Sequence, residues 1–100
     1  MSKIRVLIKQ PGEKARWEEI ENDLKTMQQI VGGYVEEIRI FSDLSILCNE
    51  EGKLRDLPYN LNVMGADLVG TVIFVGVGRR GFTNCPEAVP RCIWPKEVTT

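Results

Sequence analysis

Two adjacent arginines between glycines are the residues of this chain best suited to chemistry. Arg79 and Arg80 lie inside the run Gly76–Gly81, which reads G-V-G-R-R-G. Guanidinium groups bind phosphate and carboxylate oxygens in pairs, and flexible glycine backbone can offer N–H groups to the same anion. The segment therefore predicts an anion clamp that includes Gly78. A glycine-rich hairpin turn is the competing interpretation of the same residues, and it is the simpler one.

The same run matches G-x-G-x-x-G, the fingerprint of dinucleotide-binding folds. That fingerprint works in a first βαβ unit, where a long helix follows the glycines and an acidic residue lies about 20 positions further on. Here the run lies near the C-terminus, and Pro90 interrupts the segment that would have to form the helix. The context argues against a dinucleotide site.

A second group of candidates surrounds Tyr34. The pair Gly32-Gly33 is typical of a helix end, but it could also let a nucleotide base approach the backbone and stack on the Tyr34 ring. Asn60 ends the turn 57–60, where asparagine usually makes local hydrogen bonds unless it points into a cleft. The predicted ligand-binding residues are Arg79, Arg80, Gly78, Tyr34, Gly32, Gly33 and Asn60.

Composition narrows the chemistry further. The chain contains no histidine, which removes the commonest general base and most catalytic zinc sites. Its three cysteines, Cys48, Cys85 and Cys92, are odd in number and lie in apolar or proline-rich surroundings, as expected of reduced cytosolic thiols. Without histidine only carboxylate or arginine chemistry remains, and no such arrangement is visible in the sequence. We therefore predict no catalytic residue, no metal site, no cofactor and no enzyme.

Length and charge set further limits. One hundred residues predict a single domain over 1–100, no apolar run approaches the roughly 20 residues of a membrane span, and no signal peptide pattern is present. The formal net charge is −1 and no basic stripe occurs, so direct nucleic-acid binding is not expected. Glu36, Glu37, Glu50 and Glu51 could form an acidic surface, although solvated surface charge explains them equally well.

Periodicity predicts the elements. Strand-like alternation covers 3–8 and 34–41, the segment 44–48 is a short apolar strand, and the uncharged run 68–77 should be the central strand. Apolar residues at spacings of three and four predict one helix ending at Gly32; they are Trp17, Ile20, Leu24, Met27 and Val31.

The remaining signals complete a fold prediction. The segment 49–52 predicts a hairpin turn, with a return strand beginning at Lys53, and Asn84 could cap a short helix. The predicted fold class is α+β: a small, mostly antiparallel sheet of four to five strands with one long helix packed on one face. The predicted order is β-α-β-β-β-β, followed by a short C-terminal helical turn.

Four ordered motifs carry a resemblance to a known family. The segments VLIKQPGE, IVGGYVE, ILCNEEGKL and LPYN, spread over roughly residues 3 to 77, resemble the domain of unknown function family 3846. Its members are small proteins, commonly encoded by bacteriophages and mobile elements, with no established enzymatic activity. The resemblance implies a non-catalytic accessory protein in the cytoplasm of a bacterial host.

Two functions remain open on these grounds. In the first, the protein sequesters a nucleotide-derived anionic ligand, such as an immune second messenger, as an anti-defence sponge. Because so small a chain rarely encloses a whole ligand, this hypothesis predicts a homo-oligomer with a shared site. In the second, the acidic surface mimics nucleic acid and inhibits a host nucleic-acid-acting or defence enzyme.

Overall fold

The computed structural model describes residues 2–89. Their elements are β1 (Lys3–Lys9), β2 (Arg16–Glu21), α1 (Leu24–Val31), β3 (Val35–Phe41), β4 (Leu44–Asn49), β5 (Tyr59–Val63), β6 (Ala66–Val69), β7 (Val72–Gly78) and β8 (Gly81–Thr83). No helix among these residues has the length and apolar character needed to cross a bilayer.

The main sheet has the order β2-β1-β7-β4-β3, and β8 pairs with the far end of β7. All of its pairings are antiparallel. Strands β5 and β6 form a separate antiparallel hairpin. The central position of β7 follows from its composition, because an uncharged strand can be buried on both faces at little desolvation cost.

The predicted α+β class with one long helix on a sheet of four to five strands is wrong. The described residues form eight strands and a single helix of eight residues. The helix is short because Trp17 lies in strand β2, where it pairs with Leu7 of β1. A helix would place Trp17 and Ile20 on one side, whereas a strand sends positions three apart to opposite faces.

The burial pattern agrees with the strand. Trp17 packs against the core on one face of the sheet, and Ile20 belongs to the core on the other. Helix α1 begins only after Asp23, whose carboxylate accepts a hydrogen bond from the Thr26 amide at 2.7 Å. It ends as predicted at Gly32, which adopts φ +83°.

Two apolar cores lie on opposite faces of the main sheet. On one face α1 contributes Met27 and Val31, which pack against residues of β1, β4 and β7. On the other face the β5–β6 hairpin contributes Val63 and Leu68, and Phe74 of β7 is fully buried there. Each fully buried side chain of this size stabilises the fold by about 1.5–3 kcal/mol.

Three smaller predictions also fail. Residues 50–56 form successive turns rather than a return strand at Lys53. A return strand has no place beside β4, because β3 pairs with one edge of β4 and β7 pairs with the other, through pairs such as Leu47↔Ile73. The run 68–77 divides at Gly70 into two strands. Residues 84–89 contain no helix, and the rest of the predicted C-terminal helical turn lies outside the described residues.

Candidate functional site

The arginine pair lies at the tip of the β7–β8 hairpin. Gly78 pairs with Gly81 across the turn, and Arg79 and Arg80 are both exposed. Within residues 2–89, neither arginine forms an ion pair or a side-chain hydrogen bond. The hairpin interpretation of this glycine-rich run is therefore correct, and its two guanidinium groups project into solvent.

Tyr34 lies at the opposite end of the sheet from these arginines. Its carbonyl oxygen accepts a hydrogen bond from the Glu50 amide at 2.8 Å, next to the start of β3. At this end of the sheet Val35 pairs with Asn49. From Asn49, five residues back along β4 lead to Leu44, which pairs with Gly76, and three residues further along β7 lead to Arg79. Eight steps at ~3.3 Å each span roughly 25 Å. The structure does not bring the two halves of the predicted ligand site together.

Gly32 and Gly33 are held by local contacts. Both of their amides donate to the Gln28 carbonyl oxygen, at 2.8 and 3.0 Å, as in a helix cap. The Arg55 guanidinium donates to the Gly32 carbonyl oxygen at 3.0 Å. A Cβ on Gly33 would lie 2.9 Å from the Asn49 amide nitrogen, so this glycine is required by packing. The cap accounts for Gly32, and packing against Asn49 accounts for Gly33.

Asn60 is buried and joins the hairpin to the sheet. Its amide nitrogen donates to the carbonyl oxygens of Lys9 and Gly70, at 2.8 and 2.7 Å. Both of its donor hydrogens are therefore engaged in structural contacts. Its Oδ1 atom is buried without a partner among the described residues.

A cavity of about 220 Å³ lies where β3, β4 and β6 meet the turns at 50–56. We call it the acidic cavity; its lining includes Glu36, Ile38, Cys48, Glu50, Lys53 and Asp67. Three acidic residues from three separate segments line this cavity with a single base, while Ile38 and Leu68 supply apolar wall. Leu54, 88 % exposed, extends that apolar surface at the rim.

The carboxylates of the acidic cavity retain free acceptor capacity. Within the described part of the chain, the Glu36 and Glu50 carboxylates form no ion pair with Lys53 or any other base. Asp67 accepts one hydrogen bond, from the Asn62 amide at 2.8 Å. A cationic or multiply donating group in this cavity would thus meet acceptors that are not already satisfied.

The Cys48 thiol lies at the cavity wall and is held in its protonated form. Burial raises the pKa of its thiol to about 11, and the Glu36 carboxylate adds to that increase while Lys53 opposes it. A thiol with such a pKa stays protonated near neutral pH, and the thiolate is the reactive form. Among residues 2–89, no cluster of three or more potential ligands could hold a metal ion.

The predicted acidic surface is divided by the sheet. Glu36 faces the acidic cavity, but Glu37 points to the other face, where it accepts hydrogen bonds from Ser45 at 2.6 Å and from Arg39 at 3.1 Å. Glu51 does not line the cavity, although Glu50 does. Strand alternation separates Glu36 from Glu37, and this could have been read from the sequence.

Asp67 was missed because nothing in the local sequence marks it. It lies 31 positions after Glu36 and reaches the cavity only because the β5–β6 hairpin folds back over β4. A second cavity of about 310 Å³ lies near the β3–β4 turn, but Asp43 is its only charged lining residue among those described. It lacks the convergent polar groups expected of a specific site.

Comparison with known proteins identifies a family for this chain. The model of the family described as Domain of unknown function (DUF3846) matches residues 4–92. Neither the curated proteins nor the solved structures contain a match.

Proposed function

This chain belongs to the DUF3846 family, and from that premise we propose that it acts by binding a basic partner protein at the acidic cavity. The carrying observation is the convergence of Glu36, Glu50 and Asp67 on one concave surface with an apolar wall. A lysine or arginine side chain fits this chemistry, since its aliphatic stem packs on apolar surface while its charged head is bound by carboxylates.

The size of the cavity supports a side chain rather than a nucleotide. Pockets for small-molecule ligands usually measure about 300–1,000 Å³, whereas the acidic cavity measures about 220 Å³. Its net charge would also repel phosphate groups, since three acids face one base. The anionic ligand proposed from the arginine pair would therefore not occupy this cavity.

The partner class that we propose is a nucleic-acid-acting or defence enzyme of the host. Such enzymes carry clustered lysines and arginines that bind phosphates, and carboxylates in a fixed array can occupy the same groups. Binding at that surface would block access of the nucleic acid to the enzyme. The action would be inhibition by occupancy, with no bond made or broken.

An NMR titration tests the cavity directly. Isotope-labelled protein would be titrated with a short Arg/Lys-rich peptide containing leucine, and with a matched peptide in which glutamate replaces the bases. We expect amide shift changes confined to residues 36–38, 48–54 and 66–69, only with the basic peptide, and weaker binding at higher ionic strength.

Two variants test whether the peptide binds at the acidic cavity. Glu36→Lys combined with Asp67→Lys should abolish the shifts, while Glu19→Lys on β2, outside the acidic cavity, should leave them unchanged. Equal binding of both peptides, or binding retained in the double variant, would refute the proposal.

A second candidate function rests on the arginine pair. Arg79 and Arg80 offer two exposed guanidinium groups without an acidic partner in the described residues, and these could hold a phosphate-bearing ligand without help from Tyr34. Isothermal titration with cyclic dinucleotides and ADP-ribose tests this ligand-sequestering role. Binding lost in Arg79→Ala plus Arg80→Ala, but kept in Arg16→Ala, would favour it; no heat with any of these ligands would exclude it for them.

A further inference from the structure

Strand β3 is an open edge of the main sheet. It ends the order β2-β1-β7-β4-β3 and has a strand partner only in β4 among the described residues. Two exposed aromatic side chains bracket it, Tyr34 at 68 % and Phe41 at 37 %. The part of this edge before the register shift between Arg39 and Phe41 offers backbone N–H and C=O groups to another strand, and proteins usually protect such edges.

The sequence of β3 is complementary to itself in reverse. It reads V-E-E-I-R-I-F, so an antiparallel copy centred on Ile38 places Glu37 opposite Arg39, and Arg39 opposite Glu37. We propose that β3 pairs with β3 of a second copy of this chain around a twofold axis at Ile38. Opposite charges directly across a strand pair are stabilising, and a twofold interface repeats each such pair.

Neighbouring registers are excluded by charge. With a twofold axis perpendicular to the sheet, two residues that lie opposite each other point their side chains to the same face. The axis must therefore pass through a residue of β3 and its own copy, and each alternative register is centred on another residue of β3. A centre at Glu37 sets two glutamates against each other, and a centre at Arg39 sets two arginines against each other. Like charges directly opposite destabilise a strand pair.

The other edge of the sheet does not share this property. Strand β2 reads R-W-E-E-I-E, and its middle residues are Glu18 and Glu19. An antiparallel pair centred on either one would place a glutamate opposite its own copy. Self-pairing is therefore specified for the β3 edge and opposed at the middle of β2.

Pairing at β3 places the acidic cavities of the two copies next to the twofold axis. Glu37 and Arg39 lie on the face of Ser45, while Glu36 and Ile38 line the cavity on the opposite face. The two cavities of the dimer would flank the twofold axis and present two acidic sites to one partner. The inference does not rest on the proposed function, since the strand complementarity holds whatever the cavity binds.

Sedimentation velocity on the full chain tests the dimer through a charge swap. The wild type should be dimeric at high micromolar concentration. Glu37→Arg alone and Arg39→Glu alone should each shift it to monomer, and the combined swap should restore the dimer. Glu19→Arg on β2 should leave the dimer intact. A monomeric wild type, or single variants that stay dimeric, would overturn the proposal.

A cross-link tests the register even if the charge variants unfold. Opposite Cα atoms in an antiparallel pair are about 4.5–5.5 Å apart, which lies within the range of a disulfide. In a background with the native cysteines replaced by serine, Ile38→Cys should therefore form a disulfide-linked dimer under mild oxidation. Glu36→Cys should not, because its copies would lie four positions apart. Efficient cross-linking of Glu36→Cys, or none with Ile38→Cys, would reject this register.

Discussion

The side-chain amide nitrogen of Asn60 lies 2.8 Å from the main-chain oxygen of Lys9, and this contact fastens the β5–β6 hairpin to β1. The same nitrogen donates to the Gly70 carbonyl oxygen at 2.7 Å, just before β7 begins. One buried amide thus joins the small hairpin to β1 and to the segment that leads into β7. Asp67 of that hairpin lines the acidic cavity, so the position of Asp67 in the cavity depends on these two hydrogen bonds.

Replacing Asn60 should loosen that connection. Asn60→Ala removes the donor to two carbonyl groups and should lower the free energy of unfolding by about 1–3 kcal/mol. Asn60→Asp should cost more, because a carboxylate would face two acceptors without a proton to donate. Urea denaturation followed by circular dichroism measures both. Gln29→Ala, at an exposed amide on α1, should change stability by about 0.5 kcal/mol or less.

Two glycines of the G-x-G-x-x-G run should respond differently to alanine. A Cβ on Gly76 would lie 2.0 Å from the Asn84 carbonyl oxygen, which is backbone and cannot move aside without shifting β8. A Cβ on Gly78 would meet the Thr83 methyl group at 3.6 Å, an ordinary contact. Gly76→Ala should therefore cost about 3 kcal/mol, and Gly78→Ala about 0.5 kcal/mol or less. Thermal unfolding of both variants checks the difference; equal losses would contradict it.

Ser45 should control the acidity of Glu37. The Ser45 hydroxyl donates to the Glu37 carboxylate at 2.6 Å and is the main cause that lowers the pKa of Glu37, with Arg39 contributing less. In Ser45→Ala the pKa of Glu37 should rise toward its usual 4.5. The pKa of Asp23, which is lowered by the Thr26 amide, should not change. Carbon-detected NMR titration of both carboxyl groups measures the effect.

The lowered pKa of Glu37 makes the stability of the fold depend on pH. Because the folded pKa of Glu37 is lowered, its ionised form stabilises the fold above pH 4.5, and this contribution is lost as the pH falls through the folded value. Ser45→Ala should therefore lose less stability than the wild type on acidification from pH 7. A parallel loss in both proteins would indicate that the hydrogen bond does not influence the titration.

The buried thiols should make the protein sensitive to alkali. Burial raises the pKa of Cys48 to about 11 and that of Cys85 to about 12, from a usual value of 9.0. The protonated thiols are favoured in the folded state, so stability is full below pH 9 and falls as the pH rises toward these values. Denaturation between pH 8 and 11 measures this, and Cys48→Ala should give a shallower fall.

Thiol labelling provides an independent measurement. At pH 8 both cysteines should react slowly with a thiol reagent in the native protein and quickly in urea, because the thiolate is the reacting form. The experiment is best made with Cys92→Ser, since Cys92 lies outside the described residues. Rapid native labelling of Cys48 would contradict its raised pKa.

Much of the sheet could be predicted because strand alternation is a local signal. The predicted ends of β1, β3 and β4 agree with the structure to within one residue, and Gly32 ends the helix as its chemistry requires. The segment 16–21 was mistaken for helix because spacings of three and four fit Trp17, Ile20 and Leu24. Only its pairing with β1, which no local pattern reveals, makes it a strand.

The candidate site was less predictable. The predicted anion-binding set joined residues that could contact different parts of one nucleotide. These residues lie at opposite ends of the sheet, Tyr34 at one and Arg79 at the other. Glu36 and Glu50 were singled out as an acidic surface, and both do line the cavity. The third acidic residue of the cavity, Asp67, reaches it only because the β5–β6 hairpin folds back over β4.

Local residue patterns are enough to establish which segments alternate, which strand is uncharged enough to be central, and where glycine must end the helix. These are properties of neighbouring residues, and the backbone enforces them locally. Tertiary structure alone decided which edge each strand occupies and which charges meet. Strand order brings together residues tens of positions apart, so Asp67 joins Glu36 in one cavity while Arg79 is separated from Tyr34 by the length of the sheet.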